Sequence, residues 1–290
     1  MKKILTLIIV VALAIVPLAS CANETGEFDK KNDIGVTSRE EGSGTRGAFV
    51  ELVGILQEDE NGEDVDLTTP NAVTTNGTSV MMTTVAGDPY AIGYISLGSM
   101  NDSVKAAQVD GAGATVENIN SGAYKIARPF NLAYNDELSE NAQDFLDFVL
   151  SKQGQEIVTE EGYIALADAP EYAGTMNSGK VTVHGSTSVA PVMGKIKEAY
   201  EELNSGVTIE IQSSGSSAGM TDAIDRTCDI GMASREVKDS EKEAGLTPVV
   251  MAMDGIAVIV NNDNPVENLT SEQIMNIFTG EITKWSDVLD

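Results

Sequence analysis

Three observations predict an α/β architecture for this chain. Short runs rich in Val, Ile and Ala alternate with amphipathic stretches, the pattern of strands covered by helices. Four turns built from Gly, Ser and Thr stand between a strand signal and a helix signal. The mature length of about 270 residues suits one large domain or two lobes with ample core.

From the N-terminus, Met1-Lys2-Lys3 precedes an apolar run from Ile4 to Pro17. That run has signal-peptide length and is too short for a comfortable membrane span. Leu18-Ala19-Ser20-Cys21 then matches the bacterial lipobox. The match implies a signal peptide over 1–20 and a diacylated Cys21 at the start of the mature chain; the alternative is a plain secretory peptide cut nearby. Residues 21–33 are mostly polar and read as a flexible tether.

Gly47 to Leu56 reads as the first helix, and Ser79 to Val85 as a second that begins in Asn76-Gly77-Thr78-Ser79. Tyr90 to Ile95 is a buried strand. Ser139 to Glu160 is one helix, because Phe145, Phe148 and Val149 share a face with Ile157 two turns on. Asp168 to Gly179 has no periodicity and reads as a surface connection. Val181 to Val183 is a strand, followed by a helix marked by Val189, Met193, Ile196, Tyr200 and Leu203. Val207 to Gln212 alternates as a strand, and a helix starts near Met220. Ile256 to Val260 is a continuous apolar strand, and Leu269 to Phe278 a last helix.

The formal charge is −27, and loss of Lys2 and Lys3 with no acid makes it more negative by two. So acidic a chain does not bind nucleic acid through its general field and repels free anions at long range. The acidic cluster from Glu58 to Asp66 lacks EF-hand spacing and reads as a solvated loop. With Cys21 lipidated, Cys228 has no partner, so there is no disulfide framework. No Cys/His metal cluster, P-loop lysine or nucleophile elbow appears, and His184 at a strand end is the only histidine. These absences argue against an enzyme and against a bound cofactor or metal.

The four turns carry the chemistry. The first, Arg39-Glu40-Glu41-Gly42-Ser43-Gly44-Thr45-Arg46, sets a guanidinium, hydroxyls and helix N–H groups together, a socket for a small tetrahedral anion. The second is His184-Gly185-Ser186-Thr187-Ser188 and the third runs from Ser213 to Gly219. The fourth, Asp229 to Arg235, ends in Ser234 beside Arg235. One such turn is an ordinary capped loop; four at strand-to-helix junctions are better explained by a shared anion site.

Together with Ala91-Ile-Gly-Tyr-Ile95, Asp254-Gly-Ile-Ala-Val258 and Phe278-Thr-Gly-Glu-Ile-Thr-Lys-Trp285, these turns resemble the periplasmic or lipid-anchored phosphate-binding protein of the bacterial phosphate ABC transporter. The resemblance covers nearly the whole mature chain. It implies a two-lobed periplasmic-binding-protein-like fold (type II), each lobe a sheet flanked by helices, with two crossover strands as the hinge. The crossovers fall near Ile126 to Tyr134 and Val258 to Pro265. One lobe then comprises 34–126 plus 262–290, and the other 127–261.

The order of the pieces departs from the family. There the Gly-Ser-Thr-Ser strand and helix follow the signal peptide, and the Phe-Thr-Gly-Glu segment runs into the Arg-Glu-Glu-Gly loop. Here the chain starts at that loop, so it looks circularly permuted, with the old ends joined through Asp168 to Gly179.

The resemblance further implies that Arg39, Ser43, Gly44 and Thr45 bind phosphate from one lobe. Thr187, Ser188 and Ser217 would do so from the other, with Ser234 and Arg235 at a place where many relatives have an aspartate. Glu41 would accept the proton that phosphate carries near neutral pH and sulfate lacks. Asp254 is either a second acceptor or a turn residue. The implied partners are inorganic phosphate, ABC permease subunits and the membrane through the lipid on Cys21, with the protein a monomer on the outer face of the membrane. The rivals are a binding protein for sulfate or molybdate, and a surface lipoprotein with an adhesive or sensory role.

Overall fold

The computed structural model describes residues 28–135, 137–174, 176 and 178–289. The expected signal peptide, Cys21 and the tether as far as residue 27 lie outside the described residues.

The chain first builds β1 (Gly35–Arg39), α1 (Gly44–Leu52), β2 (Leu56–Glu58), β3 (Asp64–Asp66) and β4 (Val73–Thr75). There follow α2 (Thr78–Ala86), β5 (Ala91–Ser96), β6 (Val104–Ala106), β7 (Gln108–Val109) and α3 (Val116–Asn120). Strand β8 (Ala127–Asn135) leads away to α4 (Glu140–Leu150), α5 (Lys152–Glu160), β9 (Gly179–Gly185), α6 (Ala190–Leu203) and β10 (Val207–Ser213). Next come α7 (Ser216–Ile224), β11 (Ile230–Ala233) and α8 (Asp239–Glu243). The long β12 (Leu246–Asn261) returns, and β13 (Asn268–Leu269) and α9 (Ser271–Thr279) complete the first body.

One path of strands, β10-β9-β11-β8-β12-β5-β1-β4, runs through the molecule, with β6 also on β12. Its apolar faces separate into two bodies. Val36, Phe49, Tyr94, Val258, Phe278 and Trp285 lie in one core cluster. Phe130, Phe145, Val183, Ile196, Tyr200 and Met251 lie in another. Strand β12 belongs to both: Leu246 to Gly255 pair antiparallel with β8, and Ile256 to Val260 pair with β5. The return crossing therefore sits at Gly255–Ile256, earlier than the Val258 to Pro265 stretch expected from sequence. Ile256 and Val258 are already core residues of the first lobe.

The expected helix Ser139 to Glu160 is two helices. Ser151 is extended (φ −75°, ψ 166°); it ends α4 and caps α5, its Oγ accepting from Gly154 N at 3.3 Å. Both helices keep the apolar periodicity across the break, which is why the pattern alone does not reveal it. The first helix begins at Gly44 and not Gly47, because Ser43 caps it by accepting from Arg46 N at 3.3 Å.

The unperiodic stretch after Asp168 is tied down. Tyr172 Oη donates to buried Asp144 at 2.6 Å, and Met176 N donates to Asn204 Oδ1 at 2.7 Å. The two ends of the described chain lie side by side. Ile34 N donates to Thr283 O at 2.7 Å and Trp285 N to Asn32 O at 3.3 Å. Phe28 meets the buried Trp285 ring edge-to-face, with ring centroids 6.1 Å apart.

Candidate anion-binding site between the lobes

Strand β1 ends at Arg39, whose side chain is 1% exposed. Such a guanidinium needs partners. Nε and Nη2 donate to the two carboxylate oxygens of Glu40, each at 2.7 Å, and Nη2 also donates to Thr187 Oγ1 across the cleft at 3.0 Å. Burial opposes ionisation of Glu40, but the hydrogen bonds and charge of Arg39 outweigh it and hold the carboxyl below the usual range. The turn then bends at Gly42 (φ 83°), where an L side chain is disfavoured.

The start of α1 meets the second lobe directly. Thr45 Oγ1 lies 2.9 Å from Ser188 Oγ, and Gly42 O accepts from Ser217 N at 3.1 Å. A Cβ on Gly44 would sit 2.9 Å from Ser216 Cβ and 2.8 Å from Ser234 Oγ, with Ser216 Oγ nearer still. Ser216 Oγ accepts from Ser234 N at 3.1 Å, so the third and fourth turns are joined beneath Gly44. Helices α1, α6 and α7 thus aim their N-termini at one seam, where unpaired N–H groups and the helix dipoles favour an anion.

The structure brings together Arg39, Gly44, Thr45, Thr187, Ser188 and Ser234; Ser43 and Ser217 stand at the edge of that group, where they also line an outer groove. It sets the other three expected residues apart. Glu41 is exposed and lines an outer groove of about 1130 Å³ with Arg46, Glu51, Asp66, Ser217 and Arg235. Glu40, not Glu41, lies against Arg39. Arg235 is held by Glu241 through contacts of 2.9 and 2.7 Å and donates to Glu236 O at 2.8 Å, while its Nη2 reaches Ser217 Oγ at 3.3 Å. Its charge is thus already matched.

Asp254 is buried at the hinge, behind Ser234. Its Oδ2 accepts from Arg128 Nη2 at 3.1 Å and Nε at 3.3 Å, and its Oδ1 from Ser96 Oγ at 3.0 Å. Burial pushes its carboxyl up to about 6 despite the pull of Arg128. Arg128 Nη1 in turn donates to Ser234 O at 2.7 Å, holding the fourth turn. The Arg128 and Asp254 positions pair directly in the β8–β12 ladder, which makes this ion pair a pin between the two crossing strands.

Sequence reasoning missed Glu40, Arg128, Ser216 and Thr78. Ser216 lay in a turn already singled out. Thr78 sits in Asn76-Gly77-Thr78-Ser79, a Gly-Thr-Ser string like the others. Arg128 gives no local signal, since its partner is 126 positions away. Among the described residues no group of three or more His, Cys, Asp or Glu side chains could hold a metal ion.

Comparison with known proteins decides the family. The PBP superfamily domain profile matches residues 24–153 and 170–290. The phosphate-binding protein PstS 2 of Streptococcus agalactiae is 53% identical over 272 residues, 93% of this chain and 92% of its own length. The chain belongs to the PstS phosphate-binding protein family, within the PBP superfamily. PstS 2 of Streptococcus pneumoniae is 43% identical over 290 residues and runs collinear with 99% of both chains. A crystal structure of a phosphate ABC transporter phosphate-binding protein from S. pneumoniae superposes with a TM-score of 0.71 and 45% identity, over 89% of this chain and 100% of that one. The PstS of Staphylococcus saprophyticus is 35% identical over only 117 residues, 38% of this chain and 37% of its own.

Proposed function

We propose that this protein captures inorganic phosphate outside the cytoplasmic membrane and delivers it to the permease of an ABC importer. It acts as a substrate-binding protein and not as an enzyme. The observation that carries this is the meeting of Arg39 with Thr45, Thr187 and Ser188 at one buried seam between two lobes. An overall acidic molecule can hold an anion only through such local donors, and the PstS 2 relatives named for phosphate binding match it over nearly their full length.

Discrimination against sulfate falls to Glu40. Its ionised oxygens, already accepting from Arg39 and from Gly77 N at 3.3 Å, can accept one more hydrogen bond, from the O–H of HPO4²⁻, and repel an oxyanion that has no proton to donate. The lipobox supports attachment through lipid on Cys21, with the monomer facing outward. The order of the motifs and the partial match to the Staphylococcus saprophyticus PstS, over 37% of its length, support a circular permutation relative to it.

Calorimetric titration of the purified protein with phosphate, repeated in excess sulfate at neutral pH, tests the reading. Tight phosphate binding undisturbed by sulfate is expected. Sulfate or molybdate heats without phosphate heat would overturn the substrate, and a folded sample silent to all three would overturn oxyanion transport.

A further inference from the structure

We infer that Thr78, at the N-terminus of α2, is a phosphate-binding residue of this site, placing a fourth helix end on the anion. The inference rests on the phosphate reading above and adds a ligand group to it.

The reason begins in the sheet. Strands β1 and β4 are parallel neighbours in register, with Arg39 opposite Thr75. Each is followed by a short turn and a helix, so α1 and α2 start level with one another at the same end of the sheet. The turn before α2 pivots on Gly77 (φ 99°), which offers no side-chain cap to the helix. Its own N–H is taken by Glu40 Oε2 at 3.3 Å, so the carboxylate that grips Arg39 also fixes the start of α2.

Thr78 is 5% exposed and stands among groups from both lobes. Its Oγ1 lies 3.5 Å from Arg39 Nη1, 3.4 Å from Thr187 Oγ1 and 3.3 Å from Ser188 Oγ. All three neighbours belong to the phosphate set. The lengths matter as much as the company. Hydroxyl pairs normally bond at about 2.5–3.0 Å and N–H donors at about 2.7–3.2 Å. The neighbouring Thr45–Ser188 pair meets that standard at 2.9 Å, whereas every Thr78 contact is longer. A buried hydroxyl with one proton and three distant partners is poorly satisfied by them. An anionic oxygen among Thr78, Thr187 and Arg39 would take short, charge-assisted bonds in their place. The first-turn N–H groups of a nine-residue helix stand behind Thr78 and add their dipole.

The test is Thr78→Val, nearly isosteric without the hydroxyl, beside Thr78→Ser, which keeps it. Inorganic phosphate is titrated calorimetrically into each, and unfolding of the ligand-free proteins is followed by heat. Thr78→Val is expected to weaken phosphate binding by about tenfold or more, as loss of a hydrogen bond to a charged group does, with ligand-free unfolding unchanged. Thr78→Ser is expected to stay near wild type. Thr78→Ala drops the same hydroxyl without branched bulk and serves if valine disturbs folding. A folded Thr78→Val or Thr78→Ala protein that binds phosphate as tightly as wild type would overturn this inference alone. Wild-type protein that fails to bind phosphate would overturn the functional reading beneath it.

Discussion

Gly44→Ala should separate binding from folding. The new methyl would meet Ser216 Cβ at 2.9 Å and Ser234 Oγ at 2.8 Å, with Ser216 Oγ closer than either. All three atoms belong to the second lobe. Gly44 is the first residue of α1 and is not among the positive-φ glycines, so alanine there brings no backbone strain and can add up to about 1 kcal/mol of helix preference. The penalty falls only where the lobes touch. Overpacking a close contact costs about 1–3 kcal/mol, and a cost borne by the closed form alone lowers apparent affinity by about 5- to 150-fold. Calorimetry would give the affinity, and thermal unfolding of ligand-free protein the stability. We expect weaker phosphate binding with an unfolding temperature equal to or above wild type. Wild-type affinity in the alanine protein would refute the claim that the lobes seat on Gly44.

Other outcomes follow from the charges. Glu40→Gln should admit sulfate as a competitor while Glu41→Gln, altering an exposed side chain, leaves sulfate excluded; competition calorimetry distinguishes them, and the reverse result would restore Glu41 as the reader of the phosphate proton. Because the folded-state pKa of Glu40 lies below its ordinary 4.5, its contribution to stability is present above that value and is lost as pH falls through the depressed one. The stability difference between wild type and Glu40→Gln should therefore shrink in acid, as measured by urea unfolding across pH. Asp254→Asn leaves Arg128 buried without its counter-charge and should cost about 3–5 kcal/mol at pH 7, read as a lower urea midpoint; an unchanged midpoint would show that the hinge pin contributes nothing.

The anion turns were legible because their signal is local. Glycine, hydroxyls and a following helix pattern occupy consecutive positions, and the chain needs nothing distant to form them. Glu40 and Glu41 were not separable in that way. Which carboxylate faces Arg39 depends on how the backbone enters the Gly42 turn, and composition is silent on that. Strand β12 was half visible. Ile256 to Val260 is apolar throughout and buried on both faces, but Pro248 and Gly255 disguise the stretch before it. Pro248 is tolerated because that part of β12 pairs only with β8, so its missing N–H need not meet a second strand. The Ser151 break was hidden because two helices in sequence keep one apolar stripe.

The adjoining ends of the described chain have a mechanical consequence. Residues 32–34 run against 283–285 on the Arg39 lobe, and Phe28 is seated by Trp285. A lipid on Cys21 would therefore moor that lobe close to the bilayer and leave the other as the moving jaw. Opening and closing would swing Thr187, Ser188 and Ser234 past a stationary Arg39, so the bilayer would face the same half of the molecule throughout. A label on the Arg39 lobe should then keep its depth above a lipid surface as phosphate is added, while one on the far lobe shifts.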